Sequence, residues 1–377
     1  MKPGVAVLML LSVALGQVQY VRHDALAFKA TYYPPLDTHI VARYWETTAV
    51  HSEAMYNGNG SWGLGYADWP TRPYPADHPL VRVAARHVLG LLILIEAGLS
   101  DSAVVHRARM GLNWLLDNKT AEGAWPLYTT NQGTVNRHSA YPTALAGRVM
   151  SRAYRVFRNP RYLLAASKAL EWQTVRPQDD SPFYHALVLA ELLEHYRTVH
   201  EYKLVEQAVD EALIIINRQL PSGSWNDPGP LSTDDHAIVA EALLLLEQAL
   251  AIDHPQLRRI KGGVNAALNY LLENQLENGN FVSGEAELSA YQVPTFELVA
   301  LILAKQVRDM REFDMVITGA VRALNTHSSN QDVRWRSNQD GRFLAMAHAL
   351  AWFTHVHLET RAKEETSSQS SGSVFPP

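Results

Sequence analysis

Four stretches of this 377-residue chain carry the same punctuation, a glycine, one residue and a large aromatic. They are Gly60-Ser61-Trp62, Gly123-Ala124-Trp125, Gly223-Ser224-Trp225 and Gly279-Asn280-Phe281, and two of them extend backwards to a glutamine, Gln219 and Gln275. Each of the last three follows an amphipathic helical stretch and precedes a polar connection and another helical stretch. Recurrence at about 50–60 residues is the mark of a repeat architecture. A glycine just past a helix adopts positive φ and caps the helix end, and the aromatic then folds back over it.

Between these punctuation marks the chain alternates two kinds of helix with almost no strand signal. Richly apolar stretches are expected at about 78–97, 140–157, 182–199, 234–251, 290–305 and 342–357. More amphipathic ones are expected at 102–118, 160–173, 201–219, 256–275 and 312–325, with a sixth around 37–55. A helix that is apolar all round is buried, and one with a single apolar stripe lies at the surface. The pattern therefore predicts an all-α (α/α)6 toroid, six inner helices inside six outer ones, in a single domain.

Loop lengths give the toroid a polarity. Inner-to-outer turns such as 98–101, 158–160 and 253–255 are short, whereas outer-to-inner connections such as 119–139, 220–233 and 276–289 are long. Long connections in a compact domain are usually functional. Alternation makes all inner helices run the same way, so their N-termini converge at the end that carries the long loops. That end is the expected binding site, and converging helix N-termini favour an anionic ligand.

Composition bounds the function. Hydrophobic residues are 47% and charged residues 19%, enough apolar material for a large core. A net charge of -5 offers no basic footprint for nucleic acid. The absence of cysteine excludes disulfides, thiolate metal sites and a thiol nucleophile. Residues 1–16 read as a secretory signal: Lys2, an apolar run from Val5 to Leu15, and small residues before Gln17. That run is too short to span a membrane. The expected organisation is a signal peptide at 1–16, the toroid at 17–360 and a disordered polar tail at 361–377, in a secreted or periplasmic protein.

The Gln-x3-Gly-x-Trp/Phe segments on helical hairpins resemble those of the terpenoid cyclase and prenyltransferase toroids. The run Ser232-Thr233-Asp234-Asp235-His236-Ala237 is similar to the acidic run of the cyclases, and that resemblance implies Asp234 as a proton donor to an isoprenoid. Ser232 and His236 depart from the cyclase pattern. A looser resemblance links Gly123-Ala124-Trp125-Pro126 and Asn136-Arg137-His138-Ser139-Ala140-Tyr141 to secreted polysaccharide lyases and epimerases.

Removing the C5 proton of a uronic acid needs a base, a partner for the carboxylate and, for cleavage, an acid at the leaving oxygen. His138 and Tyr141 lie three apart at an inner-helix start and share a face. They are the expected base and acid, with Arg137 or Arg342 as carboxylate partner. His185, Tyr291 and Gln292 occupy matching positions at other inner-helix starts, His236 adjoins the aspartate pair, and Trp62 and Trp125 are expected to stack on sugar rings. Asp234 and Asp235 also permit hydrolysis of a glycosidic bond by two carboxylates, the second drawn from Asp68, Asp180, Glu285, Glu287 or Asp340. The leading expectation is thus an exported enzyme acting on an acidic polysaccharide, or another small-molecule substrate, as lyase or epimerase. The alternatives are an isoprenoid cyclase using Asp234 and a toroid that binds without catalysis. No cofactor is expected, calcium bridging carboxylates being the most plausible metal.

Overall fold

The computed structural model describes residues 36, 38–63, 80–126, 129–130, 133–134, 140–175, 181–226, 231–282, 294–308, 313–326 and 341–356. Within these residues the helices are α1 (Thr38–Ala54), α2 (Val81–Glu96), α3 (Ser102–Asp117), α4 (Ala140–Phe157), α5 (Pro160–Thr174), α6 (Pro182–Val199), α7 (Lys203–Asn217), α8 (Thr233–Ala249), α9 (Leu257–Asn274), α10 (Phe296–Arg308), α11 (Phe313–Thr326) and α12 (341–356). The even-numbered helices form an inner ring and the odd-numbered ones an outer ring, the (α/α)6 toroid that the sequence predicts. A two-rung antiparallel ribbon, β1 (Thr129–Thr130) with β2 (Gly133–Thr134), decorates the connection between α3 and α4.

The two rings differ in burial as the hydropathy pattern requires. Nearly every residue of α2 from Val83 to Leu94, and of α8 from His236 to Glu247, is buried, whereas α3 and α7 bury only one stripe. The ring closes where α12 meets α2 and α1. The Phe343 ring lies 4.8 Å from the imidazole of His87 and 5.0 Å from the indole of Trp45. Gly90 makes room for it, since a Cβ there would come within 2.9 Å of the Phe343 ring. Helix starts are set by local chemistry. Asn159 and Ser181 cap α5 and α6 ahead of a proline at the first helical position, and Asp101 accepts from the Val104 amide at 2.8 Å to start α3.

The Gly-x-aromatic segments are the joints between repeats. Gly60, Gly123, Gly223 and Gly279 all have positive φ, between 85° and 103°. A Cβ on any of them would fall within 2.4 Å of a backbone carbonyl oxygen of the next outer helix: Met110, Lys168, Ala266 and Gly319 respectively. Glycine is therefore required twice over, for its conformation and for the close approach. The aromatic that follows is driven inwards. Trp62 is 1% exposed, and Trp125, Trp225 and Phe281 are 0% exposed. The indole N–H groups of Trp125 and Trp225 donate to Leu115 and Ile215 at 2.8 and 2.9 Å, each ten residues back near the end of the preceding helix. The amide nitrogen of Gln219 donates to Gly223 in its own turn and to Gly263 in α9, at 2.9 and 3.0 Å. Gln275 repeats this with Gly279 and Val316, at 3.4 and 3.2 Å.

The inner helices run parallel, because their starts meet starts and their ends meet ends. Near the starts, Arg86 of α2 reaches Tyr141 of α4, Tyr141 packs on Phe183 of α6, and Thr295 at the head of α10 bonds Asp234 of α8. Near the ends, Glu96 of α2 pairs with Arg152 and Arg155 of α4, and Arg155 with Glu194 of α6. The barrel therefore has a mouth at the long-connection end and a foot at the short-turn end.

Candidate active site at the mouth

The first turn of α8 shows how the mouth is furnished. Ser232 caps the helix, its hydroxyl accepting from the Asp235 amide at 3.1 Å and donating to the Asp235 carboxylate at 2.9 Å. Successive helix residues point about 100° apart. Asp234, Asp235 and His236 accordingly fan out in three directions. Asp234 turns sideways to α10, accepting from the Thr295 hydroxyl at 3.1 Å. Asp235 turns to the axis, within the field of Arg86 on α2. His236 turns outwards to α9, where its Nε2 donates to the Ala267 carbonyl at 3.1 Å.

Arg86 stands at the centre of this arrangement. Its guanidinium donates to the Tyr141 hydroxyl and lies 4.4 Å from the centre of the Phe296 ring, so it spans the barrel between α4 and α10. Phe183 stands edge-on to Tyr141 with centroids 5.5 Å apart and extends the wall to α6. A guanidinium stacked on an aromatic and bonded to a neutral hydroxyl is well placed to bind a carboxylate.

Two carboxyl groups here are pushed towards their neutral forms. Burial raises Asp235 above the ordinary aspartate range, against the opposing effects of the Ser232 hydroxyl and Arg86. Glu297, in the first turn of α10, is fully buried. Burial first, and the adjacent Asp234 charge second, push its carboxyl well above the usual carboxylate range. Two carboxyl groups in contact cannot both ionise cheaply, so the pair favours a proton held on Glu297 beside Asp234.

The residues expected from sequence divide into three groups. Tyr141, Asp234 and Asp235 lie in the first turns of α4 and α8, at the mouth. Five expected residues do not face it. Trp62 and Trp125 are core residues with no face open to a sugar. Trp62 stacks on His87 with centroids 5.0 Å apart, and the Trp125 amide is tied to the Thr143 hydroxyl at 3.0 Å. His185 is buried and hydrogen-bonds Glu211 of the outer helix α7. His236 is buried between Trp225 and Tyr270, and burial lowers its pKa to about 4, so it stays neutral. Arg342 is 2% exposed, and burial lowers its pKa to about 10. Its charge is felt by His51 of α1, after burial the next influence that lowers that ring's pKa, so it sits on the outer-ring side of α12. His138, Arg137, Tyr291 and Gln292 lie outside the described residues, as do Asp68, Asp180, Glu285, Glu287 and Asp340.

Arg86, Phe296 and Glu297 were not anticipated. A signal for Arg86 existed: a single arginine well inside the apolar run of α2 must be aimed at a partner or at a solvated axis. Among the described residues no group of three or more histidine, aspartate or glutamate side chains could hold a metal ion. No described helix is long and apolar enough to cross a membrane.

No family model matches the sequence, and no curated protein matches it. Solved structures do share its fold. Cellobiose 2-epimerase from Bacillus thermoamylovorans superposes with a TM-score of 0.62 at 10% identity, covering 84% of this chain and 99% of that one. A glycosyl hydrolase of family 88 from Bacteroides vulgatus gives 0.62 at 8% identity, covering 84% and 100%. A family 76 mannosidase from Bacteroides thetaiotaomicron gives 0.60 at 11% identity, covering 84% and 99%. Identities this low establish the α/α toroid and leave function to the site.

Proposed function

We propose that the protein is an exported carbohydrate-active enzyme that moves the proton next to the carboxylate of an acidic polysaccharide, as an epimerase or lyase. The observation that carries this reading is the meeting of Arg86, Tyr141 and Asp235 at the mouth. Arg86 binds the uronate carboxylate and stabilises the charge that builds on it when the C5 proton leaves. A base takes that proton, and its electron pair spreads into the carboxylate. His138, three residues before Tyr141, fills the role of base, and Tyr141 or Asp235 supplies the proton on the other face. If that proton returns to C5 from the opposite face, the sugar is inverted. If it goes to the leaving oxygen at C4 while the C4–O bond breaks, a double bond forms between C4 and C5. Asp235 suits the donor role because its carboxyl is held towards the protonated form. Sugar epimerases and glycoside hydrolases built on the same toroid support the substrate class.

The test is incubation with a panel of uronate polymers in heavy water. It reads C5 deuterium exchange and the ultraviolet absorbance of an unsaturated product. Asp235→Asn is expected to lower the rate by about 10²–10⁴-fold with the fold intact. Absence of both signals with every polymer sinks the reading. Export is tested separately: the secreted form should begin at Gln17.

Glycoside hydrolysis is a second reading, favoured by the raised pKa of Asp235, which is what a general acid at a glycosidic oxygen needs. It predicts new reducing ends without absorbance. The isoprenoid reading is less well supported. Its proton donor, Asp234, faces Thr295 and Glu297, and the axis beside it carries Arg86 and Tyr141 where a cyclase needs apolar walls.

A further inference from the structure

The foot of the barrel holds a cavity of about 560 Å³, lined by none of the side chains of the mouth constellation. One wall is made by Arg148, Arg152 and Arg155 of α4, spaced four and three so that they share a face, joined by Arg197 of α6. The facing wall of α8 and α10 is partly apolar, with Gln248 and Gln306 among its members. Four guanidinium groups line the space and only two carboxylates, Glu194 and Glu241.

The carboxylates are already committed. Arg148 binds Glu241 at 2.6 Å, and Arg155 binds Glu194. Arg152 binds Glu96 at 2.7 Å, at the edge of the cluster. Glu194 is shared by three arginines, lying also 3.7 Å from Arg148 and 3.9 Å from Arg152. Arg197 pairs differently, donating to the neutral amide oxygen of Gln248 at 2.5 Å. Burial, then the neighbouring arginines, disfavour its charge more than Glu194 supports it. His348, also lining the space, is buried with its pKa lowered to about 3 and adds no charge. Inner-helix C-termini converge at this end, and their dipoles repel anions, so the arginines both offset the dipoles and exceed the carboxylates available to them.

We propose that the foot cavity is a binding site for a sugar-sized anion, a carboxylate or phosphate ester whose oxyanion sits against Arg197 and Arg152 and whose body lies along α8 and α10. The volume fits a monosaccharide acid or phosphate, within the usual range of small-molecule sites. Planar guanidinium forks match either oxyanion in bidentate fashion. The site shares no side chain with the mouth constellation, and the proposal does not depend on the reaction carried out there.

Calorimetric titration of the full chain at low salt tests it, with glucuronate, glucose 6-phosphate, inorganic phosphate and glucose as probes. At least one anion should bind with unit stoichiometry, and glucose should not. Glucuronate alone would point to a sugar acid, the phosphate ester to a phosphorylated sugar, and inorganic phosphate with equal strength to recognition of the oxyanion only. Gln248→Glu is the decisive variant. It is isosteric, gives Arg197 an internal carboxylate, and should keep or raise Tm while weakening anion binding tenfold or more. Arg86→Gln at the mouth should leave the foot affinity unchanged. Failure of every anion to bind overturns the proposal. So does undiminished binding by Gln248→Glu, or a loss in Arg86→Gln as large as in Gln248→Glu.

Discussion

The two ends of the barrel place the same side-chain types on the same axis and obtain opposite chemistry. At the mouth, Asp235 and Glu297 are pushed towards their neutral forms, because burial outweighs the single arginine or hydroxyl nearby. At the foot, burial works equally against Glu194, yet Arg152, Arg155, Arg148 and Arg197 outweigh it and hold its carboxyl at about 2. The number of cations around each carboxylate decides the outcome. A carboxyl pushed towards its neutral form can hold a proton to give up, and one locked by several arginines cannot. The difference is the physical ground for proposing proton chemistry at the mouth and anion binding at the foot.

The largest expected effect lies at the foot. Glu194→Ala leaves three buried or half-buried arginines without their shared partner and should cost about 3–5 kcal/mol in urea unfolding. A loss below about 1 kcal/mol would mean that solvent already screens the cluster.

Acid titration of stability sharpens the contrast. Glu194 has a folded pKa depressed from 4.5 to about 2, so its contribution is present above about pH 4.5 and is lost as pH falls towards 2. Its size is on the order of 3 kcal/mol. His236 and His348, held neutral at about 4 and about 3, lose stability over a higher window, beginning near pH 6.5. Glu297 has the opposite sign. Its folded pKa is raised, so its contribution is complete below about 4.5 and lost as pH rises. Glu297→Gln should therefore raise Tm by a few degrees at pH 8, with the gain vanishing near pH 4. A gain that persists at pH 4 would show that Glu297 is not protonated in the fold.

The smallest effect concerns the cap that aims Asp235. Ser232→Ala should cost about 0.5–2 kcal/mol of stability. It should also raise the Asp235 pKa further, because the Ser232 hydroxyl opposes the effect of burial, and so move the alkaline limb of the rate profile to higher pH. An unchanged Tm would remove the capping role.

The toroid was legible in the sequence because burial has two signatures, all-round apolar for α8 and a single stripe for α7. The mouth was legible only in part. Position along an inner helix gave Tyr141 and Asp235, but at a helix start one residue more or less rotates a side chain by about 100°. That rotation sends His236 to α9 while Asp235 meets the axis. His185 fails for the same reason, turning to Glu211 on α7. Trp62 and Trp125 were misplaced because aromatic surroundings in sequence say nothing of which way a turn folds. The glycine before each presses on a neighbouring backbone and carries the ring inwards. The foot is signalled not by loop length but by the spacing of Arg148, Arg152 and Arg155 on one helix face.

The glycine joints separate holding from recognising. Each fastens one hairpin to the next outer helix before the chain departs for the following inner helix, with Phe281 or a tryptophan as the bolt. Insertions between Trp125 and α4, or between Phe281 and Thr295, should leave the scaffold standing while altering what the barrel accepts. A new specificity can then be grafted there without redesigning a single helix.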